Sequence, residues 1–317
     1  MRTFLLVLAG ALLAADPSLG AGRPVGVTTI TFTKTSVTTG APRVLDTVVW
    51  YPAKPRSGTT EALGQRDAAI RPGKYPLVIF SHGTCGEPTE ATYFTMALVR
   101  LGFIVAAPPH VGNQASDGAA CFTAFGDSFL NRVPDVRSVL DGMLAQGTDR
   151  SSRFYRRIRS DKVAMSGLSF GGYTTLLAVQ REPRFIAAFS LVPGGVEALD
   201  KTEISIPTLV IGAEHDTVVG FPESQAAYER LAGPRFLVEV LGANHLSAVD
   251  SCFSQQFGVS LCVPGDISQD DAHRLILHYA LPFFRRYVRG QRAAGRVLTR
   301  PIPGVVLTAD PKHGSKG

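Results

Sequence analysis

Apolar positions along this chain follow two periods that alternate. Val25–Thr33 and Arg43–Tyr51 are rich in β-branched residues and predict two early strands. Pro52–Lys74 is a polar stretch with Pro and Gly and predicts a linker. Tyr75–Ser81 (YPLVIFS) is continuously apolar, as a strand covered on both faces must be. Helical spacing follows over Thr89–Leu101, with Gly102 as its stop and Phe103–Ala107 as the next strand. Val133, Val136, Val139, Leu140 and Met143 place a helix over Asn131–Ala145. Lys162–Ser166 reads as a strand, Phe170–Val179 as a helix, and Phe185–Val192 and Pro207–Gly212 as strands. Pro222–Leu231 reads as a helix, Phe236–Leu241 as a strand, and Asp270–Val288 as a long closing helix. Strand and helix in turn imply one α/β unit, a mostly parallel sheet with helices on both faces.

Composition narrows the classes. Of 317 residues, 45% are hydrophobic and 18% charged, enough apolar material for a large core. The longest apolar run, Phe4–Ala15, is too short for a membrane span of about twenty residues. With Arg2 before it and the small residues Ser18 and Gly20 after it, residues 1–20 read as a signal peptide, cleaved after Gly20 or Ala21, with Ala15 as an alternative. The mature chain is then periplasmic or secreted. The net charge of +6 lies mainly in residues 289–317, where Arg289, Arg292, Arg296, Arg300, Lys312 and Lys316 face the single acid Asp310. Without interleaved aromatics this stretch predicts a solvated basic tail behind a catalytic domain at 21–288, and no nucleic-acid surface. Four cysteines in an exported chain suggest two disulfides; of three pairings, Cys85–Cys121 and the short loop Cys252–Cys262 are favoured. No ligand set for a metal stands out, and no phosphate-binding glycine motif occurs.

The chemistry concentrates in Gly167-Leu168-Ser169-Phe170-Gly171, a G-x-S-x-G sequence between a predicted strand and a predicted helix. That setting is a nucleophile elbow: a tight turn, relieved by glycines, that lifts the Ser169 hydroxyl above the sheet. A serine hydroxyl needs a base, expected after the last strand in the order serine, acid, histidine. His245, in Gly242-Ala243-Asn244-His245, stands there. Asp216 ends the preceding strand segment, TLVIGAEHD, and is the acid that would hold the histidine; Glu214 is its rival and Asp200 a more distant one. Acyl transfer also needs donors for the oxyanion. The Phe170 amide is one candidate; the Thr84 amide, in the loop Ser81-His82-Gly83-Thr84-Cys85, is the other.

These segments resemble the α/β-hydrolase fold, and within it the platelet-activating-factor acetylhydrolase and dienelactone-hydrolase-like serine esterases. YPLVIFSHG, LGFIVAAPPH, RVPDVRSVLD, GLSFGGYTT, PTLVIGAEHD and GANH carry the likeness, which spans most of Val48–His245. Two departures matter. The animal acetylhydrolases place the acid after the strand that follows the elbow helix, near Val192 here, where no carboxylate stands; Asp216 then takes the role, as in bacterial relatives and cutinase-like polyester hydrolases. Dienelactone hydrolases use a cysteine where this chain has Ser169. Polyester hydrolases commonly carry Trp before the nucleophile, where this chain has Leu168. The resemblance implies a carboxylic ester hydrolase acting on a small-molecule or polymeric ester; the two-step serine mechanism needs no cofactor or metal, and a monomer is the expected state. Polyester hydrolysis is the second reading; a peptidase, an acyltransferase and a non-catalytic binding protein are further ones. Pro193–Ile206 is too short for a helical lid, so the cleft should be open and suit short acyl esters, with His110–Leu130 (Cys121, Phe122, Phe125) as a wall.

Overall fold

A computed structural model describes residues 23–250 and 265–314. The expected signal peptide and the pair Cys252–Cys262 lie outside the described residues. Strands β1 (Val25–Thr35) and β2 (Pro42–Pro52) form an antiparallel pair, and β2 adds antiparallel to β6 (Ile104–Ala107). The inner strands β5 (Tyr75–Ser81), β6, β7 (Ile158–Leu168), β8 (Phe185–Leu191), β9 (Thr208–Ala213) and β10 (Arg235–Val240) are parallel. Their order, β10-β9-β8-β7-β5-β6, is that of an open, doubly wound sheet.

Alternation in the inner strands sorts side chains to two cores. From β5, Val78 and Phe80 pack with Phe94 and Leu98 of α1 (Thr92–Arg100) and with Tyr279 and Phe284 of α6 (Gln269–Tyr287). Leu77 and Ile79 face the other way, onto Val136 and Leu140 of α3 (Phe125–Thr148) and Leu176 of α4 (Phe170–Arg181). Both faces are apolar, which is why YPLVIFS shows no polar alternation. Gly102 ends the region of α1 with φ of 88°, a conformation a β-carbon would strain. The remaining short helices, α2 (Ala120–Thr123) and α5 (Phe221–Glu229), flank the sheet, and no helix among the described residues is long and apolar enough to cross a membrane.

Three stretches differ from expectation. The polar linker contains the small strands β3 (Thr59–Glu61) and β4 (Gly64–Arg66), the latter pairing with β1. Helix α3 starts six residues earlier than its apolar stripe suggests, absorbing part of the expected wall segment. The basic stretch after residue 288 is structured through Asp310: a 3-10 helix at Arg292–Thr299 is followed by β11 (Val305–Asp310), antiparallel to β10. Its charges point outward while Leu298 and Val305 are buried, and the Tyr279 hydroxyl donates to the Arg300 carbonyl at 2.9 Å. Net charge had hidden a β-branched run long enough to close the sheet edge. Removing residues 289–317 is therefore expected to lower the thermal midpoint by about 10 °C, since Leu298 and Val305 alone lose roughly 4 kcal/mol of burial. Calorimetry of the truncated chain checks this; an unchanged midpoint would mean β11 adds nothing to the fold.

Candidate active site

Strand β7 runs into α4 through one residue, Ser169, which adopts φ 56° and ψ −121°. A non-glycine residue holds that conformation only when its surroundings dictate it. Here the Ser169 N–H donates to the Leu191 carbonyl at 2.8 Å, tying the turn to the end of β8. The glycines are set by space as well: a β-carbon on Gly167 would overlap the Gly171 carbonyl, and one on Gly171 would overlap the Ser81 carbonyl. The tight turn is possible because these backbones nearly touch.

Ser169 Oγ lies 2.9 Å from His245 Nε2, and His245 Nδ1 lies 2.7 Å from Asp216 Oδ2. His245 opens a short 3-10 helix (His245–Ala248) whose start is fixed by Asn244: its side chain accepts the Ser247 N–H at 2.9 Å. The other oxygen of Asp216 accepts the amides of Val218 and Val219 at 2.9 and 3.0 Å. Burial pushes the Asp216 carboxyl up, but the bond to His245, its charge and the two amides outweigh it and hold the pKa below the usual carboxylate value. The carboxylate is thus charged at neutral pH and can keep the proton of His245 on Nδ1. Both rivals are engaged elsewhere: Glu214 accepts the Gly242 N–H at 2.8 Å, and Asp200 pairs with Arg181 at 2.7 Å.

The hydroxyl opens into a cleft of about 590 Å³ whose walls include Thr84, Phe122, Phe129, Leu168, Tyr173 and Leu246. Phe122 joins the wall as expected; Cys121 is buried behind it in a disulfide with Cys85. The bridge ties the loop after β5 to α2. Gly83 of that loop comes so near Ser169 that a β-carbon on it would sit 3.3 Å from Ser169 Cβ. Thr84, next in the chain, lines the cleft opposite Phe170, the first residue of α4. Between β8 and β9 the cleft is bordered only by a 3-10 turn at Val196–Ala198.

Sequence reasoning missed a buried polar layer under the loop after β5. Arg132 of α3 is 1% exposed and donates to the carbonyls of His82 and Gly83. Glu90 accepts the Gly83 N–H at 2.7 Å, and burial pushes its carboxyl up to about 8, so it is largely protonated at neutral pH. His110 connects Ser81 to Asp135, which in turn pairs with Arg43. One signal was available: Arg132 and Asp135 sit on or beside the apolar stripe of α3 formed by Val136, Val139 and Met143.

The fold and these three linked side chains define an α/β-hydrolase with a serine–histidine–aspartate arrangement. A protein-family model described as PET hydrolase-like matches residues 80–261, more than half of the chain, and the chain belongs to that family. It is 33% identical over 185 residues to cutinase est2 of Thermobifida alba, covering 53% of this chain and 58% of that protein. It is 25% identical over 281 residues to the platelet-activating factor acetylhydrolase of Cavia porcellus, covering 73% and 62%. The match therefore spans about three-fifths of each relative's length. Among solved structures, a ferulic acid esterase from Streptomyces cinnamoneus superposes with a TM-score of 0.72 at 23% identity, covering 91% of this chain and 97% of that one, which shows the shared fold.

Replacing Cys85 and Cys121 together by Ser opens a link between residues 36 apart and is expected to lower stability by about 4 kcal/mol. Denaturant unfolding at constant slope reads this, and a loss below about 1 kcal/mol would mean the loop is held without the bridge.

Proposed function

We propose that the chain is a serine hydrolase of carboxylic esters. The observation that carries this reading is the continuous hydrogen-bonded series Ser169–His245–Asp216 at the mouth of an apolar cleft. In this reading His245 Nε2 takes the hydroxyl proton as Ser169 Oγ attacks the ester carbonyl. Asp216 holds the ring and stabilises its charge. The amides of Thr84 and Phe170 donate to the oxyanion, Phe170 from the positive end of α4. The alcohol leaves with the proton from His245. Water then attacks the acyl-enzyme by the same route, releasing the acid and restoring Ser169.

The size and apolar walls of the cleft favour short acyl groups. A polymeric ester is a second reading, supported by family membership and by the short 3-10 turn at Val196–Ala198 where a helical lid would stand. The Cys85–Cys121 bridge supports an exported, periplasmic or secreted enzyme, because disulfides persist in oxidising compartments. A monomer remains the expected state.

Initial rates on nitrophenyl esters from acetate to palmitate test the reading. Turnover should peak at short chains and vanish in Ser169→Ala. Asp216→Asn should lower kcat by about 10³- to 10⁴-fold with a smaller effect on KM. Lack of turnover by folded parent protein on every ester would overturn the proposal. Release of soluble acid from a polyester film decides the second reading.

A further inference from the structure

We infer that Arg132 is a positioning residue for ester hydrolysis: its guanidinium, together with His82, locks and polarises the Gly83–Thr84 peptide so that the Thr84 N–H faces the oxyanion. This rests on the reading of Ser169 as nucleophile.

The inference comes from what surrounds one peptide bond. The Gly83 carbonyl accepts from Arg132 Nη2 at 3.0 Å, from His82 Nδ1 at 2.8 Å and from the Gly86 N–H at 3.3 Å. The tautomer of His82 follows from its other nitrogen: Nε2 faces the His110 backbone N–H at 3.0 Å and must accept, so Nδ1 carries the proton. Complete burial, with the charge of Arg132 and with His110 nearby, pushes the pKa of His82 well below normal and keeps it neutral. On the other side of Gly83, its N–H is held by Glu90. The loop is thus pinned through both backbone groups of one residue.

In a trans peptide the N–H points opposite to its carbonyl. The Gly83 oxygen points down to the buried cation, and the described residues contain no cis peptide. The Thr84 N–H therefore points up, on the side where Thr84 lines the cleft. A cation hydrogen-bonded to the carbonyl draws electron density through the amide and makes that N–H a stronger donor, the more so in a medium of low dielectric. Arg132 also lies 4.1 Å from the centroid of the Phe170 ring, under the residue that carries the second proposed donor. Its remaining contacts fix its position: Nη1 donates to Ser81 Oγ and the His82 carbonyl, and Nη2 to Asn113 Oδ1 at 2.6 Å. Glu90 leaves this cation largely unneutralised at neutral pH, whereas Asp135 is shared with Arg43 and Lys34. Positive charge thus stands beneath the place where negative charge develops in the reaction.

The test uses Arg132→Lys, Arg132→Gln and His82→Gln in the full chain, with two readouts. One is kcat and KM on a short nitrophenyl ester. The other is inhibition by a trifluoromethyl ketone, to whose carbonyl Ser169 Oγ adds, forming a C–O bond and an oxyanion while His245 keeps the hydroxyl proton; the product carboxylic acid serves as a ground-state control. Arg132→Gln should lower kcat about 10- to 100-fold with KM within about threefold, and ketone affinity should fall in parallel while acid affinity holds. Arg132→Lys should recover part of the loss. His82→Gln keeps an acceptor oxygen for the His110 N–H but leaves no donor at the Nδ1 position, so it removes one donor from the Gly83 carbonyl with Arg132 in place; a fall of about tenfold in kcat and in ketone affinity is expected there even if the Arg132 variants do not fold. A folded Arg132→Gln or His82→Gln variant with kcat within about threefold of the parent, or any folded variant with kcat lost and ketone affinity intact, overturns the inference. Parent protein that neither turns over esters nor binds the ketone overturns instead the esterase reading itself.

Discussion

The arrangement at Ser169 depends on two backbones passing almost in contact. The end of β7 and the start of α4 press against the Ser81 carbonyl at the end of β5, and only glycine at 167 and 171 permits it. That approach sets the direction of the serine side chain and brings the loop after β5 to Ser169. It also requires the strained backbone at Ser169, which the bond to the Leu191 carbonyl and the packing of α4 against β7 and β8 sustain. The residues that would react with it then need only follow the topology. Parallel strands end on the same side of a sheet, so the segments after β9 and β10 deliver Asp216 and His245 to the same edge.

Beneath that edge the protein does something unusual for an interior. Lys34, Arg43, Arg132, Asp135, His82, His110 and Glu90 gather between α3 and the sheet, most of them fully buried. Burial raises the pKa of Asp135 despite Arg43 and Lys34 beside it, and lowers that of Arg132 despite Glu90 and Asp135. Burial opposes the charged form of both groups, and buried ion pairs in general often add little to stability over apolar side chains of equal volume. The layer is understandable as orientation: Arg132, His82 and Glu90 bond backbone groups of the loop after β5, His110 bonds His82, and Asp135 with Arg43 and Lys34 is joined to them through His110. Orienting a peptide to within a fraction of an ångström is what hydrogen bonds in a low-dielectric site do better than apolar packing.

Legibility in the sequence followed the range of the constraint. The elbow is a constraint on five consecutive residues, so GLSFG between a strand and a helix announces it. Asp216 and His245 were readable because their positions follow strand order. Arg132 was not, because the groups it serves lie 49 to 51 residues earlier and nothing local to α3 says which loop it will meet. Strand β11 escaped for the opposite reason: its local signal, the β-branched residues Val305, Val306 and Thr308, stood among charges that suggested solvent. The early start of α3 was hidden because Ala124, the residue before the helix, offers no side-chain cap.

The two constraints meet at Gly83. Its lack of a side chain lets the loop approach Ser169, and its two backbone groups are the ones held by Glu90 and by Arg132 with His82. A β-carbon there would face Ser169 Cβ at 3.3 Å, tighter than ordinary contact, and would be relieved only by moving the loop away from its buried partners. Close approach and fixed orientation are thus requirements on the same residue. The disulfide at Cys85, two residues on, restrains the chain where it leaves that residue, in the positive-φ conformation of Cys85 itself. The strain at Ser169 and the restraint on the loop then have a common origin: each is tolerated because the other element has nowhere else to go.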